Sequence, residues 1–189
     1  MLSHLQLFDF RNHQKKSFEF ETKPIVFFGE NGQGKTNILE AISVLSVGKS
    51  WRETTKSDLI RNEETSAKIT GVFENNTYES ILEPRIRSFF RNGKKVSLES
   101  HLGQIPTILF CPEYLNLFSG NKQERQKFFD RFLAQLSPNY RDHLTRASRA
   151  HKQKTKLLKQ STERIMTPEE VHPWNQILAE SVPVIITER

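Results

Sequence analysis

Apolar and polar residues alternate along residues 2–10, the period of a β-strand. On that period Leu5 and Leu7 share one face, and Phe8 and Phe10 share the other. Residues 17–21 alternate again around Phe18 and Phe20. Pro24 then opens Ile25-Val26-Phe27-Phe28, a continuous apolar run that predicts a strand buried on both faces. A glycine-rich stretch follows. Beyond it, Ile38, Leu39, Ile42 and Leu45 recur at helical spacing. Between residues 65 and 97 the pattern returns to short strands, with a turn signal at Asn75-Asn76. Asn92-Gly93 predicts a tight hairpin, because both residues tolerate the positive φ of a type I′ turn. Together these strands predict an antiparallel sheet. Residues 107–110 read as one more apolar strand, stopped by Pro112.

After residue 112 the pattern becomes helical. Phe128, Phe129, Phe132, Leu133 and Leu136 predict a helix over 123–136. Ser137-Pro138 is a break and a helix start, with Ser137 as N-cap. Residues 140–161 are polar and glycine-free and predict a long helix, with Leu144, Ala147, Leu158 and His151 toward its core. Thr167 with Glu170 three residues later predicts another N-terminus. The domains expected are therefore 1–112, an α/β lobe carrying an antiparallel β subdomain, and 113–189, an all-α lobe.

Composition adds limits to this picture. The 189 residues suffice for one core and a satellite lobe. A single cysteine, Cys111, cannot form an internal disulfide; a small buried hydrophobe in a reducing cytoplasm is expected. No run of 18 apolar residues exists, and no signal-peptide pattern opens the chain, so a cytoplasmic protein without a membrane partner is expected. The six histidines are scattered without metal-ligand spacing. Residues 141–164 hold eight Lys and Arg against two Asp and Glu, which accounts for the whole net charge of +6. Within that segment Arg149, Lys152, Lys156 and Lys159 fall at 3-4-3 spacing, one face of a helix. Such a stripe suits a phosphate backbone read without regard to sequence, single- or double-stranded. A solvated helix face is the alternative reading.

The strongest chemical signal is Gly29-Glu30-Asn31-Gly32-Gln33-Gly34-Lys35-Thr36, which fits G-x-x-x-x-G-K-[ST] at every fixed position. Average residue frequencies would produce this pattern by accident in roughly one chain in a hundred. The glycines let the backbone curl so that successive N–H groups face phosphate oxygens. Lys35 supplies charge for the outer phosphates, and Thr36 a hydroxyl for Mg²⁺. The helix that begins here aims its positive end at the anion. ATP with Mg²⁺ is the expected ligand.

The surrounding residues resemble a known family. Phe10-Arg11-Asn12, about twenty residues ahead of the loop, is similar to the SMC-like branch of the ABC ATPases. Leu39-Glu40-Ala41-Ile42, Gly48-Lys49-Ser50-Trp51-Arg52 and Phe110-Cys111-Pro112-Glu113-Tyr114-Leu115 sharpen the likeness to that branch's bacterial recombination mediators. So do the segment from Gly120 to Asp130 and Lys156-Leu157-Leu158-Lys159-Gln160. The resemblance implies a P-loop NTPase head of the ABC/SMC-like kind. Such heads dimerise around two ATP molecules and grip DNA while closed. It further implies that Arg11 reaches the triphosphate, that Arg52 contacts phosphate or DNA, and that Glu113 approaches the metal or the attacking water. Partner mediator proteins and recombinase loading at gapped DNA come with it.

Hydrolysis in that class needs a Leu-Ser-x-Gly-Gln signature and a Walker B strand. Neither is present. Leu45-Ser46-Val47-Gly48-Lys49 lacks the glutamine, Ile108-Leu109-Phe110-Cys111 runs into Pro112 instead of Asp, and Val184-Ile185-Ile186 lies at the chain end. In the family both motifs follow the helical lobe. The expectation is an incomplete, truncated head that binds ATP weakly and does not turn it over. A nucleotide-gated DNA-binding scaffold, or another P-loop enzyme such as a kinase or a defence-system ATPase, is the competing reading.

Overall fold

The computed structural model describes residues 1–52, 55, 57–114, 117, 120–160 and 167–189, without the side chains of residues 113 and 160. The chain divides into two compact units, Met1–Leu109 and Phe110–Arg189.

In the first unit six strands form one antiparallel sheet. They are β1 (Leu2–Phe10), β2 (His13–Glu19), β3 (Ala67–Phe73), β4 (Asn76–Leu82), β5 (Arg87–Arg91) and β6 (Lys94–Val96), in the order β2-β1-β3-β4-β5-β6. The two N-terminal strands therefore extend the sheet expected over 65–97. Three hairpins have two-residue turns. Asn92 (φ 49) and Gly93 (φ 76) supply the positive angles between β5 and β6. Between β3 and β4 the turn is Glu74-Asn75, not Asn75-Asn76, since Phe73 pairs with Asn76. Between β1 and β2 it is Arg11-Asn12, with Phe10 paired to His13 and Arg11 at φ 57.

Alternation along β1 holds for Leu5 and Leu7, both fully buried. It fails at Phe10, which joins their cluster rather than lying with Phe8. Asp9 sits in the left-handed region (φ 46) and interrupts the two-residue period.

Helix α1 (Lys35–Val47) covers the buried face of the sheet. Ile38, Ala41, Val44 and Leu45 point into the cluster formed by Leu5, Leu7, Ile69, Ala67 and Leu82. Leu45 sits directly against the backbone of β3: a Cβ on Gly71 would lie 2.4 Å from its Cδ2. That close approach explains a glycine inside a strand. The helix stops at Gly48 (φ 75), whose N–H donates to the Val44 carbonyl. A short helix, α2 (Leu98–His101), closes the end of α1. His101 is buried, stacks on Phe89 at 4.6 Å and donates Nε2–H to the Leu45 carbonyl at 2.5 Å.

Two expected strands do not form. Residues 24–28 have no ladder, and Val26 and Phe28 are 79% and 90% exposed. Residues 107–110 have none either, and Ile108 and Phe110 stand in solvent. An apolar run becomes a strand only when neighbours satisfy its N–H and C=O groups. Neither run pairs with a strand among the described residues.

The second unit is helical: α3 (Lys122–Leu136), α4 (Pro138–Gln160) and α5 (Pro168–Glu188). Ser137 caps α4 by accepting from the Tyr140 N–H at 3.0 Å. The Glu170 carboxylate accepts from the Thr167 N–H at 3.1 Å. Tyr140, Ala147 and Ile185 form the buried cluster, with Leu133, Ala134, Leu144 and Leu178 packed on it. Tyr140 donates its hydroxyl to Asp130, which also takes Arg189. Leu158 and His151, expected toward this core, are exposed instead. Val184-Ile185-Ile186 is helical, which removes it as a Walker B strand. No helix among the described residues is long and apolar enough to cross a membrane.

Candidate functional site: a phosphate loop and its arginine cluster

The loop at residues 29–36 is shaped by its glycines. Gly29 (φ 140), Gly32 (φ 85) and Gly34 (φ 90) occupy angles that L side chains rarely adopt. At Gly29 a Cβ would also strike the Gln33 side chain, 2.4 Å away. The Lys35 ammonium crosses the loop and donates to the carbonyls of Gly29 at 2.8 Å and Glu30 at 2.7 Å. Two of its three N–H groups thus hold the loop closed, leaving one for an anion. A cavity of about 220 Å³ opens here, lined by Asn31, Gly32, Gly34, Lys35, Thr36, Asn37 and Arg52. Lys35 and Thr36 begin α1, so the positive end of the helix faces the cavity.

Beside the loop lies a charged cluster that the sequence motifs do not announce. Glu40, on α1, is completely buried. Arg11 grips it with a fork: Nε donates to Oε2 at 2.9 Å and Nη2 to Oε1 at 2.7 Å. The remaining Arg11 nitrogen, Nη1, donates to the Asp58 carbonyl at 2.8 Å. Ser50 donates to Glu40 Oε1 at 2.5 Å, and Arg52 Nη1 reaches Oε2 at 3.5 Å and Asn37 Oδ1 at 3.1 Å. A buried carboxylate is tolerable only when paired in this way. Arg11 is therefore committed to Glu40 and Asp58, whereas Arg52 holds Glu40 at longer range and lines the cavity. The signal for Glu40 was available: a charge between Ile38 and Ala41, among the core-facing positions of α1, is unusual enough to imply a partner.

Glu113 lies in a short turn, Pro112–Tyr114, and its side chain is outside the described residues. Leu115, which ends the Phe110–Leu115 motif, also falls outside them. Arg149, Lys152, Lys156 and Lys159 are all exposed along α4. That stripe belongs to the second unit and the loop to the first. Among the described residues no group of three His, Cys, Asp or Glu side chains could hold a metal ion by itself.

The AAA domain family matches residues 4–180. The chain belongs to that family. Within it, the chain is similar to the DNA replication and repair protein RecF of Enterococcus faecalis, with 39% identity over 88% of this chain and 46% of the relative. It also matches a structure of the recombination mediator RecF with ATP in the RecFOR pathway. There the TM-score is 0.90 at 27% identity, over 98% of this chain and 52% of that one. A Smc head domain from Pyrococcus furiosus shares the fold, with a TM-score of 0.55 at 18% identity. The resemblance to the SMC-like branch and its recombination mediators holds, and so does the P-loop NTPase fold. The chain spans about half the length of the curated relatives it matches.

Proposed function

We propose that this chain is the nucleotide-binding portion of a RecF-type protein. It binds ATP and Mg²⁺ in the first unit and contributes a DNA-contacting face from the second. One observation carries the reading: Lys35 is already placed across a glycine-shaped loop at the mouth of the cavity. Lys35 and the loop N–H groups hold the β and γ phosphates. Thr36 offers one hydroxyl to Mg²⁺, a cation that keeps several waters and takes its other oxygens from phosphate. The donor set fits that ion and no all-protein cage. Arg52 is the arginine best placed for a phosphate. Arg11 holds Glu40, so contact between Arg11 and the triphosphate requires that pair to open.

Titration with a fluorescent ATP analogue and Mg²⁺ tests the reading. Lys35→Ala should weaken binding at least about a hundredfold, in line with loss of a preorganised charge at phosphate. Equal binding by the two proteins would overturn it.

In this reading hydrolysis, ATP-dependent homodimerisation, partnership with RecO and RecR, and RecA loading at DNA gaps belong to the longer RecF-type protein, in the cytoplasm. The 189-residue chain alone should release no phosphate above background in a steady-state assay. Release abolished by Lys35→Ala would contradict this. Arg149, Lys152, Lys156 and Lys159 track a phosphate backbone without sequence preference. Charge reversal at Lys152 and Lys156 in the longer protein should lower DNA affinity and flatten its salt dependence. Unchanged DNA affinity would leave the stripe as a solvated surface. A longer protein that binds DNA on ATP binding but never turns ATP over would be a nucleotide-gated scaffold.

A further inference from the structure

The turn between β1 and β2 reaches under the phosphate loop. Asn12 donates Nδ2–H to the Gly32 carbonyl at 3.1 Å, and its Oδ1 accepts from Asn37 Nδ2 at 2.9 Å. His13, 6% exposed, places Nε2 3.2 Å from the Gly34 carbonyl. Since a carbonyl only accepts, that nitrogen carries the proton. The fit is close: a Cβ on Gly34 would lie 2.5 Å from Asn12 Oδ1 and 2.6 Å from His13 Nε2. Gly34 is thus required by the hairpin beneath it as well as by its own φ.

We propose that Asn12 and His13 are positioning residues that set the direction of the loop's N–H groups and so its affinity for a triphosphate. This rests on the nucleotide-binding reading above. The reason lies in the peptide plane. In a trans peptide the C=O of one residue and the N–H of the next point opposite ways, and no cis bond occurs among the described residues. Tying the carbonyls of Gly32 and Gly34 to the hairpin directs the N–H groups of Gln33 and Lys35 away from it, toward the phosphates. The Gly34 carbonyl also accepts from the Asn37 and Ile38 N–H groups of α1, so His13 adds to a fixed peptide. Without the Asn12 tie, the Gly32 peptide rotates freely, and ordering it falls to the ligand.

The clamp also has a second arm. Arg52 bonds Asn37, Asn37 bonds Asn12, and Asn12 bonds the loop. One hydrogen-bonded chain therefore runs from the cavity wall to the loop through the turn of a hairpin whose strand β1 lies inside the sheet. Arg11, next to Asn12 in that turn, is fixed by the buried Glu40. The Arg11–Glu40 pair thereby anchors the turn that shapes the loop.

The test uses the full chain, the fluorescent ATP analogue with Mg²⁺, and hydrogen exchange of residues 29–36 without nucleotide. Asn12→Ala, at an exposed position, should leave the melting temperature near that of wild type. It should weaken binding about tenfold, the scale of one or two lost hydrogen bonds, and speed exchange in the loop. His13→Ala should weaken binding about fivefold. His13→Gln keeps an N–H donor and should restore most of it, which a purely packing role for the ring would not predict. Wild-type affinity in Asn12→Ala, with Lys35→Ala still defective, overturns the clamp and leaves the nucleotide reading intact. Failure of wild-type protein to bind overturns the nucleotide reading. Exchange then decides the clamp alone: faster in Asn12→Ala supports it, and unchanged overturns it.

Discussion

Two apolar segments flank the phosphate loop, and they meet opposite fates. On its C-terminal side, α1 buries Ala41, Val44 and Leu45 completely against the sheet. On its N-terminal side, residues 24–28 leave Val26 and Phe28 in solvent. Residues 25–28 are a continuous apolar run and α1 is mixed, so apolar content does not explain the difference. A helix satisfies its own backbone and needs only a surface to lie on. A strand needs neighbours for both its backbone and its side chains. The sheet that α1 covers comes from residues of the first unit. Among the described residues no strand pairs with residues 24–28, although Phe27 packs edge-on against Phe18 at the border of the core. The same logic covers residues 107–110.

This contrast can be tested by substitution, and the largest effect is expected inside α1. Glu40→Ala would leave Arg11 without its buried partner. It should cost about 3–5 kcal/mol, the scale for breaking one half of a buried ion pair. Denaturant unfolding followed by circular dichroism would measure it, and a loss below 1 kcal/mol would mean that the pair is solvated. Leu45→Ala removes the side chain seated on Gly71 and should cost about 2–5 kcal/mol, as other core truncations do.

A smaller, pH-dependent effect is expected at the C-terminal end of α1. Burial holds the His101 imidazole below its ordinary value of 6.5, against the opposing influence of its bond to the Leu45 carbonyl. The unfolded chain therefore binds the proton more readily than the folded one. Stability is greatest above pH 6.5 and falls as pH drops from there toward the folded value. The fall is bounded by about 1.4 kcal/mol per pH unit, one proton's worth. Melting temperatures at pH 7.5 and 5.5 should show this loss in wild type and a smaller one in His101→Gln. Equal losses would put the titration elsewhere. The smallest effect belongs to the other flank. Phe28→Ala should change stability by no more than about 0.5 kcal/mol, the range of exposed sites. A cost near that of Leu45→Ala would show that Phe28 is packed after all, and the contrast would fail.

The site was legible where chemistry depends on residue type and spacing. Glycines at 29, 32 and 34 followed by Lys35 and Thr36 specify a loop, a charge and a hydroxyl, and the structure places Gly32, Gly34, Lys35 and Thr36 around one cavity. Helix boundaries were legible for a similar reason, since Ser137 and Thr167 act on backbone groups a few residues away. Glu40, Asn12 and His13 were not recognised as parts of the site. Each works through a partner 20 to 29 residues distant, and nothing local marks which partner that is. Arg11 shows the limit most directly. Its motif pointed to the triphosphate, yet its three nitrogens are held by Glu40 and Asp58.

The sequence by itself therefore determined the phosphate loop, the Asn92-Gly93 turn, the four longer helices and the basic stripe on α4, because short-range geometry and charge fix them. Only the tertiary structure decided which apolar runs became buried, which arginine lines the cavity, and that the β1–β2 turn grips the loop. Those outcomes depend on long-range pairing: a strand, a buried carboxylate and a loop carbonyl each take their final state from residues remote along the chain.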